Sequence, residues 1–163
     1  MERHAAVLEV LLENARYSVA DIARMTDHTE AEVEAAIETL ESRGVVRGYR
    51  AVVDWHQVDP DRARAEVELN VTLDRETSYD DIARRIAGFS EVKTLQLVSG
   101  NYDFLARIEA DSTREVSRFV SERIAPIPEI TQTVTHFVMD TYKEGGIPMN
   151  DSFDEDDRLS VSP

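Results

Sequence analysis

The chain has 163 residues, 33 acidic against 18 basic side chains, a formal net charge of −15 and 42% hydrophobic residues, enough to bury the cores of one ordinary domain or two small ones. It contains no cysteine, which excludes a disulfide framework, a thiolate nucleophile and any Cys-ligated zinc or iron–sulfur site. No stretch approaches the ~18 apolar residues of a membrane helix, and Met1-Glu2-Arg3-His4 leads into no secretory apolar segment, so a cytoplasmic protein with no membrane partner is expected.

Ala5, Leu8, Leu11 and Leu12 recur at helical spacing and predict a first helix ending near Glu13. Ser18, with Asp21 three positions later, is a capping pattern for a short second helix through Ile22 and Ala23. Thr26-Asp27-His28 breaks that pattern. Thr29 and Glu32 then form a capping box that opens a longer helix, with Val33, Ile37 and Leu40 inward and Gly44 at its end. Val45-Val46 and Ala51-Val52-Val53, around Gly48, read as two short strands. Two helices joined by a tight turn and followed by a hairpin make residues 1–59 a winged helix-turn-helix domain.

Residues 60–143 alternate elements. Residues 66–73 alternate polar and apolar side chains as a half-buried strand does. Residues 78–87 read as a helix with Ile82, Ala83 and Ile86 inward. Strands are expected at 92–98 and 104–108, flanking Ser99-Gly100-Asn101-Tyr102-Asp103. Ser112 and Glu115 cap a helix through Val116, Phe119, Val120 and Ile124, which Pro126 and Pro128 stop. Residues 130–139 alternate as a final strand. The order β-α-β-β-α-β predicts an α+β ferredoxin-like domain with an antiparallel sheet and both helices on one face. Its open face is expected to expose Val and Leu side chains that a second copy covers. Residues 144–163, with six acids, one base and Gly/Pro punctuation, read as an acidic disordered tail.

The charge is also unusual in kind. Only Lys93 and Lys143 are lysine, and the other sixteen bases are arginine. An acid-rich, lysine-poor surface is that of a protein kept soluble in molar salt, where a Debye length of ~3 Å screens self-repulsion.

Four motifs in register carry a resemblance. Asn14-Ala-Arg16-Tyr-Ser18 resembles an N-G-R-x-S pattern, and Leu40-Glu41-x-x-Gly44-Val-Val46-x-Gly48-Tyr49 resembles L-E-x-x-G-h-I-x-G-Y, with h hydrophobic. Residues 99–103 resemble an S-G-x-Y-D loop, and Ile127-Pro128-Glu129-Ile130 through Thr133 and Thr135 resembles a closing I-P-G-V-x-x-T-x-T strand. With this domain order, residues 3–143 resemble the leucine-responsive regulator and asparagine synthase C regulator (Lrp/AsnC) family, here in a salt-adapted, haloarchaeal form. The resemblance implies a transcription regulator that binds double-stranded promoter DNA. It implies dimers through the effector (RAM-type) domains, building to octamer-like rings, either as a homo-oligomer or as a hetero-oligomer with a paralogue. A small-molecule effector, an amino acid, is implied between effector domains at Ser99, Gly100, Asn101, Tyr102, Asp103, Thr133 and Thr135. Gly100 would allow a tight turn, Asp103 would pair with a ligand ammonium and loop amides would hold its carboxylate. The alternative is a plain turn in which Asp103 caps backbone amides.

The DNA-binding residues implied are Arg16, Arg24, His28, Thr29, Glu30, Arg43, Arg47 and Arg50. The arginines and the amides at Thr29 would meet phosphates, and Glu30 or Glu34 would accept a hydrogen bond from cytosine. The reading helix departs from the family pattern. Residues 29–42 hold Glu30, Glu32, Glu34, Glu38 and Glu41 and no base, with Ala36, Glu38 and Thr39 where bases are common. Asp27 takes a turn position usually held by glycine, and His28 an apolar one. Either DNA is bound in concentrated salt, or the chain is a ligand sensor or hetero-oligomeric co-regulator that has lost DNA binding.

Enzymatic signatures are absent. His4, His28, His56 and His136 show no metal-ligand spacing, and no nucleophile elbow, P-loop or dinucleotide fingerprint occurs. No catalytic residue, metal or cofactor is expected. A remote alternative is a sirohaem-decarboxylase-like enzyme of similar build, with His136 as proton donor and Arg107 as carboxylate clamp. The wing sequence characteristic of those enzymes is not evident in residues 45–50.

Overall fold

Four serine- or threonine-capped helices and one two-faced strand organise the chain. The computed structural model describes residues 2–73 and 77–149 and divides into two compact units, Met1–Ala51 and Val52–Pro163. Residues 150–163, most of the expected acidic tail, lie outside the described residues.

The first unit comprises α1 (Glu2–Glu13), α2 (Val19–Thr26) and α3 (Glu30–Ser42). Val7, Ile22, Ala23, Val33 and Ala36 are buried together, with Val10, Leu11, Tyr17, Val19 and Ile37 half-buried around them. The periodicity was one step out on α1, where Val7 is fully buried and Leu12 is 78% exposed. Ser18 and Thr29 cap α2 and α3 through reciprocal boxes with Asp21 and Glu32. At the end of α2, Asp27 takes a left-handed conformation with φ 54°, and the His28 N–H donates to the Ala23 carbonyl. Asp tolerates that conformation better than most residues, which explains how the turn forms without glycine. Gly44, at φ 65°, closes α3 as its N–H donates to the Glu41 carbonyl and the Val45 N–H to that of Leu40.

The two short strands expected around Gly48 do not form. Residues 45–53 are irregular, tied back to α3 by the Tyr49 hydroxyl, which donates to Glu41 at 2.9 Å. A hairpin of two such short strands has too little surface of its own to bury.

The second unit begins at Val52, eight residues before the expected start at 60. A one-turn helix, α4 (Trp55–Val58), follows, and the Arg62 guanidinium stacks 4.1 Å over the Trp55 ring. The expected β-α-β-β-α-β order then appears as β1 (Ala63–Val71), α5 (Tyr79–Ala87), β2 (Val92–Leu97), β3 (Phe104–Ala110), α6 (Thr113–Phe119) and β4 (Ile130–Phe137). α6 continues into one π-helical turn, Val120–Ile124. The antiparallel sheet has the order β2-β3-β1-β4. Ala65, Val67 and Leu69 of β1 and Phe104, Ala106 and Ile108 of β3 are buried with Ile82, Ile86, Val116 and Ile124 of the helices.

The opposite sheet face is charged, not apolar as expected. Strand alternation puts Arg64, Glu66 and Glu68 of β1 beside Arg107 and Glu109 of β3 and His136 of β4, with Leu105 and Val134 as the apolar exceptions on these strands. Arg107 donates to Glu66 at 2.8 Å and to Glu144 at 2.9 Å, and Arg64 donates to Glu144 at 3.0 Å. Glu144 belongs to an ordered hairpin, β5 (Lys143–Glu144) and β6 (Ile147–Pro148), turned by Gly145 and Gly146 at φ 56° and 86°. The fold therefore continues past 143, through residues that composition alone places in a tail.

Partial burial opposes ionisation of Glu144, but Arg107 and Arg64 outweigh it and hold its carboxyl below the ordinary value. A lowered folded pKa contributes stability above the ordinary carboxylate pKa, and that stability is lost as the pH falls through the lowered value. Glu144→Gln is expected to lower stability by about 1 kcal/mol in dilute buffer, less in molar salt. It should also remove the part of the acid-induced loss that Glu144 contributes. Thermal unfolding from neutral to acid pH, in low and high salt, measures both.

Candidate DNA and effector sites

α3 presents one face outward. Glu30, Ala31, Glu34, Ala35, Glu38 and Glu41 are exposed, while Val33, Ala36 and Leu40 are buried. Ala36, at a position where bases are common in the family, is therefore core. The backbone amides expected to receive phosphate are already occupied. The Thr29 N–H donates to the Glu32 carboxylate at 3.0 Å, and the Glu32 N–H donates to the Thr29 hydroxyl at 3.3 Å. Glu30 and Glu32 also complement the helix dipole from the first turn. An incoming phosphate must displace the Glu32 carboxylate to use the Thr29 amide and the Thr29 hydroxyl to use the Glu32 amide.

The turn gathers four of the residues expected at DNA. Arg24, His28, Thr29 and Glu30, with Ala20, Ala23 and Asp27, line one shallow depression. Arg24 is exposed and paired with Asp21. Asp21 is in turn held below the ordinary carboxylate range by the Ser18 hydroxyl and amide and by Arg24. His28 is half-buried, with a buried Nδ1 that has no hydrogen-bond partner. Arg16 is exposed in the α1–α2 turn, its amide donating to Asn14. Arg43, Arg47 and Arg50 are exposed just beyond α3, and the Arg47 guanidinium folds over Gly44. The arginines thus border the reading helix, and none lies on its outward face.

In the second unit, the loop of residues 99–103 is closed by the Val98 N–H donating to the Asp103 carbonyl at 2.9 Å. Gly100 has φ 147° and open space around it, a backbone conformation that glycine suits. Asp103 pins the loop to two other elements. Its backbone N–H donates to the Leu69 carbonyl, while its carboxylate accepts from the Val71 N–H at 2.9 Å and the Tyr79 hydroxyl at 3.1 Å. The hydrogen bond that the Tyr79 hydroxyl donates to Asp103, and the charge of that carboxylate, raise the Tyr79 pKa. Asp103 therefore caps a backbone amide, as the turn alternative has it, and its carboxylate retains lone pairs for a further donor. Ser99, Gly100 and Asn101 are exposed, and Tyr102 is half-buried.

Thr133 and Thr135 stand opposite Leu69 and Val67 across the β1–β4 ladder, and so on the helix-covered side of the sheet. β1 separates them from the loop, a spacing of about 10 Å across two strand intervals. Tyr79 was missed from sequence. Its aromatic-to-carboxylate bond spans 24 positions, and no local pattern marks it.

The enzymatic alternative loses its clamp. Arg107 is engaged with Glu66 and Glu144, and the His136 Nε2 lies 3.1 Å from Glu68. Among the described residues, no group of three or more His, Asp or Glu is placed to hold a metal ion, and no helix is long and apolar enough to cross a membrane.

A family model described as the Lrp/AsnC ligand binding domain matches residues 64–148, and one described as winged helix-turn-helix DNA-binding matches residues 2–47. An uncharacterised HTH-type transcriptional regulator of Bacillus subtilis (strain 168), YugG, is 36% identical over 163 residues, covering 99% of this chain and 98% of its own. The proline dehydrogenase transcriptional activator of Rhizobium radiobacter is 28% identical over 142 residues, 86% of this chain and 90% of its own. The crystal structure of the Neisseria meningitidis transcriptional regulator NMB0573 in complex with L-Met superposes with a TM-score of 0.70 at 20% identity, over 92% of this chain and 97% of that one.

Two substitutions test the pinned loop. Gly100→Ala forces a side chain into a φ that it resists and is expected to cost about 1 kcal/mol. Tyr79→Phe removes a hydroxyl donor from Asp103 and is expected to cost about 1 kcal/mol. Denaturant unfolding gives both values, and in the Phe variant the Val71 amide should exchange faster.

Proposed function

The chain belongs to the Lrp/AsnC family of DNA-binding transcription regulators, and from that premise we propose that it binds promoter DNA as an oligomer under the control of an amino-acid effector. Its two domains and its relatives are those of transcription regulators, not of enzymes. The observation that carries the effector half is the loop of residues 99–103. Its exposed backbone at Ser99, Gly100 and Asn101 suits a carboxylate, and Asp103 retains acceptor capacity for an ammonium. Thr133 and Thr135 supply hydroxyls from β4, two strand intervals away across β1. A neighbour in fold that holds L-Met supports the amino-acid class.

For DNA, Arg16, Arg24, Arg43, Arg47 and Arg50 grip phosphates around α3, with His28, Thr29 and Glu30 at the turn. Effector binding between effector domains of a dimer, or of a larger ring, changes the spacing of the α3 copies and hence the DNA they span. The acid-rich, arginine-over-lysine surface suits a concentrated cytoplasm, where salt screens the carboxylates of α3 from phosphate. A reading in which the chain has lost DNA binding, and serves as a sensor or as co-regulator to a paralogue, draws on that same acidic helix.

Fluorescence anisotropy of labelled DNA from the region upstream of its own gene, against a scrambled duplex, separates the two readings. As KCl rises from about 0.2 to 3 M and the screening length falls to ~3 Å or less, specific binding is expected to persist or strengthen. Arg47→Ala and Arg50→Ala should weaken it on all sequences. A folded, oligomeric protein that binds neither duplex at any salt supports the sensor reading.

A further inference from the structure

The outward face of α3 has a chemistry that restricts which bases it can read. Resting on the DNA-binding reading above, we propose that this face recognises cytosine through carboxylate acceptors, with alanine methyls against thymine, in place of guanine recognition by arginine. The site is defined by the fold, not by the carboxylates. α3 is the second helix of a helix-turn-helix, the one whose N-terminal residues meet base edges in the major groove, and the matching winged helix-turn-helix model covers it whole.

The exposed residues over its first two turns are Glu30, Ala31, Glu34 and Ala35. No Arg, Lys, Asn or Gln occurs anywhere in Glu30–Ser42, so the side chains that pair with guanine or adenine bidentately are missing. An ionised carboxylate only accepts hydrogen bonds. In the major groove guanine offers two acceptors, adenine a donor beside an acceptor, and cytosine a donor with no acceptor beside it. A carboxylate is thus repelled by guanine, compromised at adenine and matched at cytosine. Glu30 and Glu34 are one turn apart, about 6 Å, close to two base-pair steps of ~3.4 Å. Ala31 and Ala35 repeat at the same spacing beside them, small enough to meet thymine methyl groups. Glu32, turned back into the capping box, takes no part. The division of labour is complete: acceptors on the reading face, and Arg16, Arg24, Arg43, Arg47 and Arg50 off it for the phosphates.

The test is selection of bound duplexes from a random library by the full-length protein in about 2 M KCl, where α3 and DNA are screened over ~3 Å. It is repeated with Glu34→Gln and Glu30→Gln, both exposed and safe for folding. The expected result is a pyrimidine-rich half-site with at least one cytosine position. At that position one glutamine variant shifts preference toward adenine by about tenfold, the scale of one good base contact. Every cytosine brings a guanine on the opposite strand, so the selected duplex is also made with 7-deazaguanine. Unchanged affinity is expected, because the acceptor removed is not the group read. Loss of binding with the analogue, or a selected sequence that neither variant alters, overturns the proposal and leaves DNA binding standing. Failure to enrich or bind any duplex overturns the DNA-binding reading and this proposal with it.

Discussion

The second unit depends on the two-faced alternation of β1. Ala65, Val67 and Leu69 are buried under α5 and α6, and between them Arg64, Glu66 and Glu68 face the other way into an ion-paired layer. The same strand pairs with both β3 and β4, so a slip of one residue would turn its core residues into the charged layer and lose its match to both neighbours. β1 also anchors the loop of residues 99–103, the candidate effector site, through the Leu69 carbonyl and the Val71 amide. Core, charged face and candidate site therefore share one register.

Electrostatics shapes the rest. On the sheet, opposite charges are placed directly across from each other, Arg64 from Glu109 and Glu66 from Arg107, and Glu144 draws the terminal hairpin into that layer. Such half-exposed pairs contribute little one by one and more as a network. In the first unit the acids serve the fold, since Asp21 and Glu32 close capping boxes.

How much of this was legible in sequence follows from the range of each interaction. The caps at Ser18, Thr29 and Ser112 act over three residues, and those helix starts are legible directly. Alternation revealed the strands, and Gly100 announced its positive φ. Val7 displaced Leu12 from the core because a helix face is decided by what packs on it, not by periodicity alone. The wing strands failed to form since β-propensity in Val45-Val46 and Val52-Val53 needs a surface to pack on. Glu144 reads as tail by composition, yet partners 37 and 80 residues away hold it. Asp103 could be recognised as a loop residue, but its partners on β1 and α5 depend on tertiary structure.

Hydrogen exchange of the protein in about 2 M KCl, where charge screening is nearly complete, reads DNA binding at α3 and effector binding at residues 98–103 in one experiment. Exchange would be followed with its upstream DNA, with a panel of free amino acids, and with neither. The account predicts that DNA slows exchange in α3 and residues 43–50, and that one amino acid slows residues 98–103 and the start of β4. Unchanged exchange at α3 with DNA, together with unchanged exchange at residues 98–103 with every amino acid, would contradict it.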